Sequence, residues 1–384
     1  MKVYLDHAAT TPLHPKVLEK MLPYLKEEFG NPSSIHSYGR KTRVVIEEAR
    51  ETVAEFINAD ASEIYFTSSG TEANNFIIRG ITETVFIETG RNKIISSKSE
   101  HLSVLDQIRA LNIKNFIASL LSTQNDGRID LKELESEIEP SLSLVSLIHT
   151  NNETGAINNF GTIPAELAKQ NMFFHTDAVQ AFGKTLIDVK QCGISALSAS
   201  AHKINGPKGA GFAYVKSGVP MSPLIFGGSQ ERNRRGGTEN TAAIAGFAEA
   251  VRLAKSSIND RYEHVSALKK IMTAGISNID SKGIIINSEA NSSPYILSIT
   301  FDSSYYKNDA ESMLIYLDIN GVSASNGAAC SSGTLKPSHV ILSMNKKVSD
   351  ANGTIRFSFG PENNRDEINY TLEVLQKMSA KFRK

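Results

Sequence analysis

Between about residues 60 and 215, short β-branched runs alternate with segments of helical period, and no other feature of the chain constrains its fold as much. Glu63 to Thr67, Lys93 to Ser97, Leu144 to His149, Met172 to Thr176, Ile194 to Ala199 and Gly211 to Val215 read as strands. Thr71 to Glu83 and Ile163 to Lys169 read as helices. The strands are apolar on both faces, so both faces must be covered. Helices placed between successive strands supply that cover, which predicts an α/β fold built on a mostly parallel sheet. Two helices precede the alternation, over His14 to Phe29 and Arg40 to Ile57, with apolar positions at helical spacing. After residue 240 the pattern changes. Helices over Thr241 to Lys255, 258–280, Asp309 to Ile319 and Asp366 to Phe382 are joined by strands at Tyr295 to Phe301 and Thr354 to Phe359. This reads as a second, smaller α+β unit, and 384 residues suffice for two domains.

The composition narrows the classes of function. Lys+Arg and Asp+Glu balance at 41 each, which argues against a nucleic-acid surface spread over the whole protein. No stretch approaches the roughly 20 apolar residues that span a membrane. The start, Met1 to Asp6, is strand-like and too short and polar for a signal peptide, so the cytoplasm is the expected location. Two cysteines can build neither a disulfide framework nor a four-cysteine zinc site, and no metal site is expected. Cys192, in a turn entering a strand, reads as structural. Cys330 lies among small residues, Ser325 to Gly333, with nothing to bury its thiol, which makes it a candidate for chemistry. The basic run Arg232-Asn233-Arg234-Arg235 reads as a solvated loop, with an acidic partner as the functional alternative.

Five strand ends carry polar groups, and open α/β sheets bind ligands there. In Ser200-Ala201-His202-Lys203 a buried strand runs into a lysine and then a glycine–proline turn. Such a place suits an amine that forms a Schiff base, because a dry pocket lowers its pKa. Thr67-Ser68-Ser69-Gly70-Thr71-Glu72 joins a strand to a helix start and could hold a phosphate, although many such turns hold none. Asp177, after His175-Thr176, is costly there unless it meets a cation or caps a helix. Asn151-Asn152-Glu153 could bond a ligand or make a turn, and His101 could be catalytic or a satisfied structural residue. A lysine and an aspartate at strand ends beside a phosphate turn describe a pyridoxal phosphate pocket.

With those residues in order, the whole chain resembles the cysteine desulfurases of the NifS/IscS type, within the class V aminotransferase superfamily of fold type I. The segments that carry the resemblance include Tyr4-Leu5-Asp6, Gly30-Asn31-Pro32-Ser33-Ser34, Gly70-Thr71-Glu72, Glu100-His101 and Asn151-Asn152-Glu153-x-Gly155. They continue through His175-x-Asp177-Ala178-x-Gln180, Ser200-x-His202-Lys203, Gly227-Gly228-x-Gln230-Glu231-Arg232 and the Cys330 loop. The resemblance implies a large pyridoxal-phosphate-binding domain over 15–256 with a mostly parallel seven-stranded sheet. It implies a small domain of 1–14 and 257–384, carrying a mobile cysteine loop at about 323–337.

It also implies roles. Lys203 would form the Schiff base with pyridoxal phosphate, and His101 would stack on the ring and help proton transfer. Asp177 would pair with the ring nitrogen and Gln180 would contact the ring oxygen. Gly70, Thr71, Ser200 and His202 would hold the phosphate, and Thr238 would reach it from the other subunit of a homodimer. Asn152 and Arg356 would grip the substrate carboxylate. Cys330 would take sulfur from L-cysteine as a persulfide, leave L-alanine, and pass the sulfur to an acceptor: an iron–sulfur scaffold, or a thiolation or phosphorothioation protein. The alternatives are a selenocysteine lyase or a small-substrate aminotransferase of the same fold, and, outside enzymes, a non-catalytic sulfur carrier. Departures at Asn326-Gly327-Ala328-Ala329, Phe226-Gly227-Gly228-Ser229 and Arg235-Gly236-Gly237 remove no charge or nucleophile this chemistry needs.

Overall fold

The structure is a computed structural model that describes residues 1–288, 291–327 and 337–384. Seven strands form the central sheet in the order Ile64–Thr67, Gly211–Val215, Ala196–Ser200, Phe173–Asp177, Leu142–Ile148, Lys93–Ser97, Ile117–Leu121. Only Gly211–Val215 runs antiparallel to its neighbours. The α/β fold with a mostly parallel sheet, expected from the alternation, is the observed one. The strand Ile117–Leu121 has no counterpart in the sequence reading. It lies at the sheet edge with Ile117 and Leu120 exposed, so its pattern lacks the two-sided apolar signature of the others. The helices Leu102–Asn112 and Leu131–Glu137 flanking it were likewise not expected.

Local chemistry sets the helix bounds. The helix Gly70–Thr89 starts where the Ser69 hydroxyl accepts from the Glu72 N–H, and it ends at Gly90 in the left-handed region (φ 75°). Its inner face buries Ala73, Phe76, Ile77, Ile78, Ile81 and Val85 against the sheet. Each such large side chain contributes about 1.5–3 kcal/mol on burial. Thr241–Asp280 is two helices joined across a kink at Ser257 (φ −135°), which is where the sequence separates the expected helices Thr241 to Lys255 and 258–280.

A second hydrophobic core joins the second of these helices to Ile284, Ile296–Phe301, Ile355, Phe357 and the terminal helix Arg365–Phe382. Here an antiparallel sheet runs Thr354–Ser358, Ile296–Phe301, Ile284–Ile286. The chain start packs on this core: Val3–Tyr4 pairs parallel with Val322–Ser323, and Asp6 bridges to Ser358. From there residues 7–11 pass back over the strand ends of the large sheet, where Thr11 N–H donates to the His202 carbonyl. Among the described residues no helix is long and apolar enough to cross a membrane.

Candidate active site

Four parallel strands, Phe173–Asp177, Ala196–Ser200, Leu142–Ile148 and Lys93–Ser97, end on the same side of the sheet and set the site. Ala196–Ser200 is buried throughout and made of small residues, so its neighbours approach closely. A single 3₁₀ turn, Ala201–Lys203, follows it and aims Lys203 back over the strand ends. The Lys203 amine donates to the carbonyls of Ala8 (2.6 Å) and Ala9 (2.7 Å). Burial, then the charge of Arg356, push its pKa down to about 8 against the pull of Asp6 and Asp177.

Asp177 is buried. Its Oδ2 accepts from Asn74 Nδ2 at 2.7 Å and its Oδ1 from the Val179 N–H at 3.0 Å. Among the described residues no cation forms an ion pair with it. Asn74 Nδ2 also donates to Ser103 Oγ at 2.8 Å, and Ser103 Oγ lies 2.8 Å from His101 Nδ1. The Ser103 N–H donates to the same Nδ1 at 3.1 Å, so a proton on the neutral ring sits at Nε2. Desolvation and the charges of Lys203 and His339 lower the His101 pKa, against the pull of Asp177.

The turn from Thr67 into the helix Gly70–Thr89 is tightly packed. A Cβ at Gly70 would lie 2.6 Å from Val179 Cγ2, so only glycine lets the helix start sit this close. The first N–H groups of that helix have no intrahelical partner. Ser200 is buried beside it, its hydroxyl making only a 3.5 Å contact with the Ala210 carbonyl. His202 Nδ1 lies 3.2 Å from Thr10 Oγ1, and burial leads in pushing its pKa down to about 4.

Arg356 Nη1 donates to the Asn152 carbonyl (2.9 Å) and Nη2 to Asp6 Oδ1 (2.8 Å), while its Nε and Asn152 Oδ1 are buried without a partner among the described residues. Gln180 Nε2 donates to the Ala8 carbonyl at 2.9 Å. Residues 6–11 thus gather Lys203 and Gln180 through the Ala8 and Ala9 carbonyls, the His202 ring through the Thr10 hydroxyl and Arg356 through the Asp6 carboxylate. Cys330 lies outside the described residues. Gly327, on one side of it, packs on the Glu153 side chain, and Ser338, on the other, donates its hydroxyl to Glu153 Oε2. Ser325 pairs with Arg356 through both backbone groups.

Thr238 is exposed and makes no hydrogen bond to these residues among those described. The basic run beside it is not the solvated loop that was expected. Arg235 pairs with Glu72 at 2.8 Å, Arg234 donates to the Met221 carbonyl, and Arg232 donates to Ser62 and Ile64 carbonyls. Cys192 is exposed at the end of the short helix Val189–Cys192, not folded into a strand entry, and desolvation with Asp188 raises its pKa.

The sequence reading missed Asn74, Lys184 and the Ala8–Ala9 carbonyls. Asn74 had a signal, standing one helical turn after Gly70 and therefore on the same face. The carbonyls had none. Among the described residues no cluster of His, Cys, Asp and Glu could hold a metal ion.

A lysine at the end of a central strand, with a buried aspartate and a helix start beside it, is an arrangement that suits an α/β enzyme with a phosphorylated carbonyl cofactor. The chain belongs to the class-V aminotransferase family, whose pattern it matches over residues 3–371. It is 41% identical over 382 residues to a cysteine desulfurase IscS of Dictyoglomus turgidum, covering 100% of this chain and 95% of that one. Its fold matches a NifS-like protein at 32% identity with a TM-score of 0.90, covering the whole of both chains. It also matches SspA in complex with cysteine at 31% identity, TM-score 0.82, over 95% of this chain and all of the other. The family resemblance drawn from the motifs is borne out.

Proposed function

We propose that the protein is a cysteine desulfurase that uses pyridoxal phosphate to move sulfur from L-cysteine to Cys330, leaving L-alanine. The observation that carries the cofactor reading is Asp177, a buried carboxylate with no cation among the described residues, held by Asn74 across the site from Lys203. A protonated pyridine nitrogen is the partner it lacks. The helix-start donors with Gly70, Thr71, Ser200 and His202 fit the phosphate. Bound at Lys203, the cofactor supplies an electron sink for the substrate Cα.

The rest is the work of this chain's residues. Lys203, with a pKa lowered to about 8, is an available base for the Cα proton near neutral pH. His101, its ring proton fixed at Nε2 by Ser103, can exchange a proton with the reacting atoms. The unpartnered Nε of Arg356 and the Asn152 side chain can take the substrate carboxylate. The Cys330 thiolate then attacks the substrate sulfur. The C–S bond breaks, an S–S bond forms, and a proton goes to the carbon that becomes alanine's methyl group. Edges of the Cys330 segment at Ser325, Gly327 and Ser338 dock on Arg356 and Glu153, which supports delivery to this site.

The proposal extends to organisation. Residues 15–256 form a large unit, and 1–14 with 257–384 a small one. Two separate cores and the break at Ser257 support that division. The enzyme works as a homodimer in which Thr238 serves the partner's phosphate. Exposed Thr238, Phe226, Ile35 and Tyr38 support a covered surface. A sulfur-acceptor protein then takes the persulfide.

The test is incubation with L-cysteine. Alanine should form, and Cys330 should gain one sulfur atom by mass spectrometry. Unchanged alanine production by Cys330→Ala, or a keto acid in place of alanine, sinks the reading. A rate on selenocysteine far above that on cysteine would favour the lyase.

A further inference from the structure

Lys184 is a buried charge that the proposed chemistry does not use. It is 9% exposed, and among the described residues no carboxylate forms an ion pair with it. The charged or titratable groups that act on it, or that it acts on, are Lys203, Arg356, His7 and His202, none of them an acid. Its amine makes two contacts, one to Gln180 Oε1 at 2.9 Å and one over the Tyr295 ring at 5.4 Å. Burying a cation without a counter-ion is costly, and that burial with the charges of Lys203 and Arg356 pushes the amine's pKa down to about 7; a methionine of similar length would fill the space without that cost.

What the amine does is orient Gln180. A side-chain amide has one accepting end and one donating end. With Lys184 donating to the oxygen, the NH₂ end must face the other way. It donates to the Ala8 carbonyl, the same atom that receives the Lys203 amine at 2.6 Å. We propose that Lys184 is a positioning residue that locks the Gln180 amide as a donor toward an anionic ring oxygen held at Lys203. The inference rests on the pyridoxal phosphate reading.

The test is a double-mutant cycle on cofactor-free protein titrated with pyridoxal phosphate and followed by its visible absorbance. Lys184→Met and Gln180→Ala should each weaken binding about tenfold, the loss expected for one hydrogen bond to a charged oxygen. Each should move the visible band, and the double variant should lose no more than either single one. Lys184→Gln, which keeps a donor, should restore most of the affinity. Cofactor-free Lys184→Met should melt at or above the wild type, since it removes a buried unpaired cation. Additive losses, or a lower melting temperature with an unmoved band, overturn the inference. If Lys203→Ala keeps the wild-type visible band, the pyridoxal reading itself fails. If it loses the band while the cycle is additive, only the Lys184 inference fails.

Discussion

The two ends of the large sheet handle charge in opposite ways. At the end where Asp177 and Lys203 lie, among the described residues Asp177 and Lys184 are buried without ion pairs and Asn152 Oδ1 and Arg356 Nε have no partner. At the other end an open cavity of about 1020 Å³ is lined by Arg91, Glu139, Asn171 and Arg234. There Lys93 meets Glu137 at 2.9 Å and Glu139 at 3.3 Å, and Arg91 donates to the Asn171 carbonyl. This cavity is therefore the electrostatically quiet one. A charge satisfied inside the chain has little left to offer a ligand, while an unpaired buried charge must be offset by something that binds. Unmet polar groups mark the end where Asp177 and Lys203 lie.

The harshest way to break this contrast is to remove Lys203. Lys203→Ala should lower kcat/KM for alanine formation by about 10⁴-fold, since the nucleophile and the base are lost together. A loss under tenfold would mean that the charged end of the sheet is not the reacting end.

Acid should come next. Burial pushes His149 and His7 down to about 4 and His175 down to about 3. From pH 6.5 to about 4 the unfolded chain binds protons at these rings that the folded chain refuses. The contribution of these rings is therefore full above pH 6.5 and falls as the pH drops through that window. Glu100, raised to about 8 by burial, acts in the opposite sense between its usual value and pH 8, because the folded state keeps a proton that the unfolded state releases. These three rings outweigh one carboxyl, His202 at about 4 acts in the same sense, and the net loss should be on the order of 5 kcal/mol. Melting temperatures by circular dichroism at pH 6.5, 5.5 and 4.5 check this, and a flat profile would contradict the buried, neutral histidines.

A smaller effect separates the network from its ligand. Asn74→Ala leaves the Asp177 carboxylate short of its 2.7 Å donor. It should cost about 2 kcal/mol, read as lower thermal stability of the cofactor-free protein. Added pyridoxal phosphate should recover part of that loss, because the ring nitrogen supplies the missing partner. Equal destabilisation with and without cofactor would show that Asp177 has another role.

How much of this was legible in the sequence depends on the kind of signal. Strands apolar on both faces announced six of the seven sheet members, because burial on two sides forbids polar alternation. Ile117–Leu121 escaped because an edge strand is half exposed. Lys203, Asp177 and Gly70 were legible because each breaks a local rule: a charge at a buried strand end, or a glycine at a helix start. Ala8 and Ala9 were not, because their contribution is a backbone carbonyl delivered by a chain reversal through the second core. Lys184 was invisible for a related reason. A lysine after Gly183 looks like any turn lysine until folding removes water from it.

The least effect should come from the quiet end, and its smallness is the sharpest check on the comparison. Glu139 is exposed and shares Lys93 with Glu137. In Glu139→Gln the lysine keeps its 2.9 Å bond to Glu137 and its 2.8 Å bond to the Glu137 carbonyl, so no buried charge is stranded. The exposed Glu139 carboxylate contributes little to such a pair because solvent screens it. Glu139→Gln should leave kcat/KM on L-cysteine within about a factor of two and the affinity for pyridoxal phosphate unchanged. A tenfold loss in either would show that the large cavity is coupled to the chemistry, and that unpaired charge is a poor guide to the working end of this sheet.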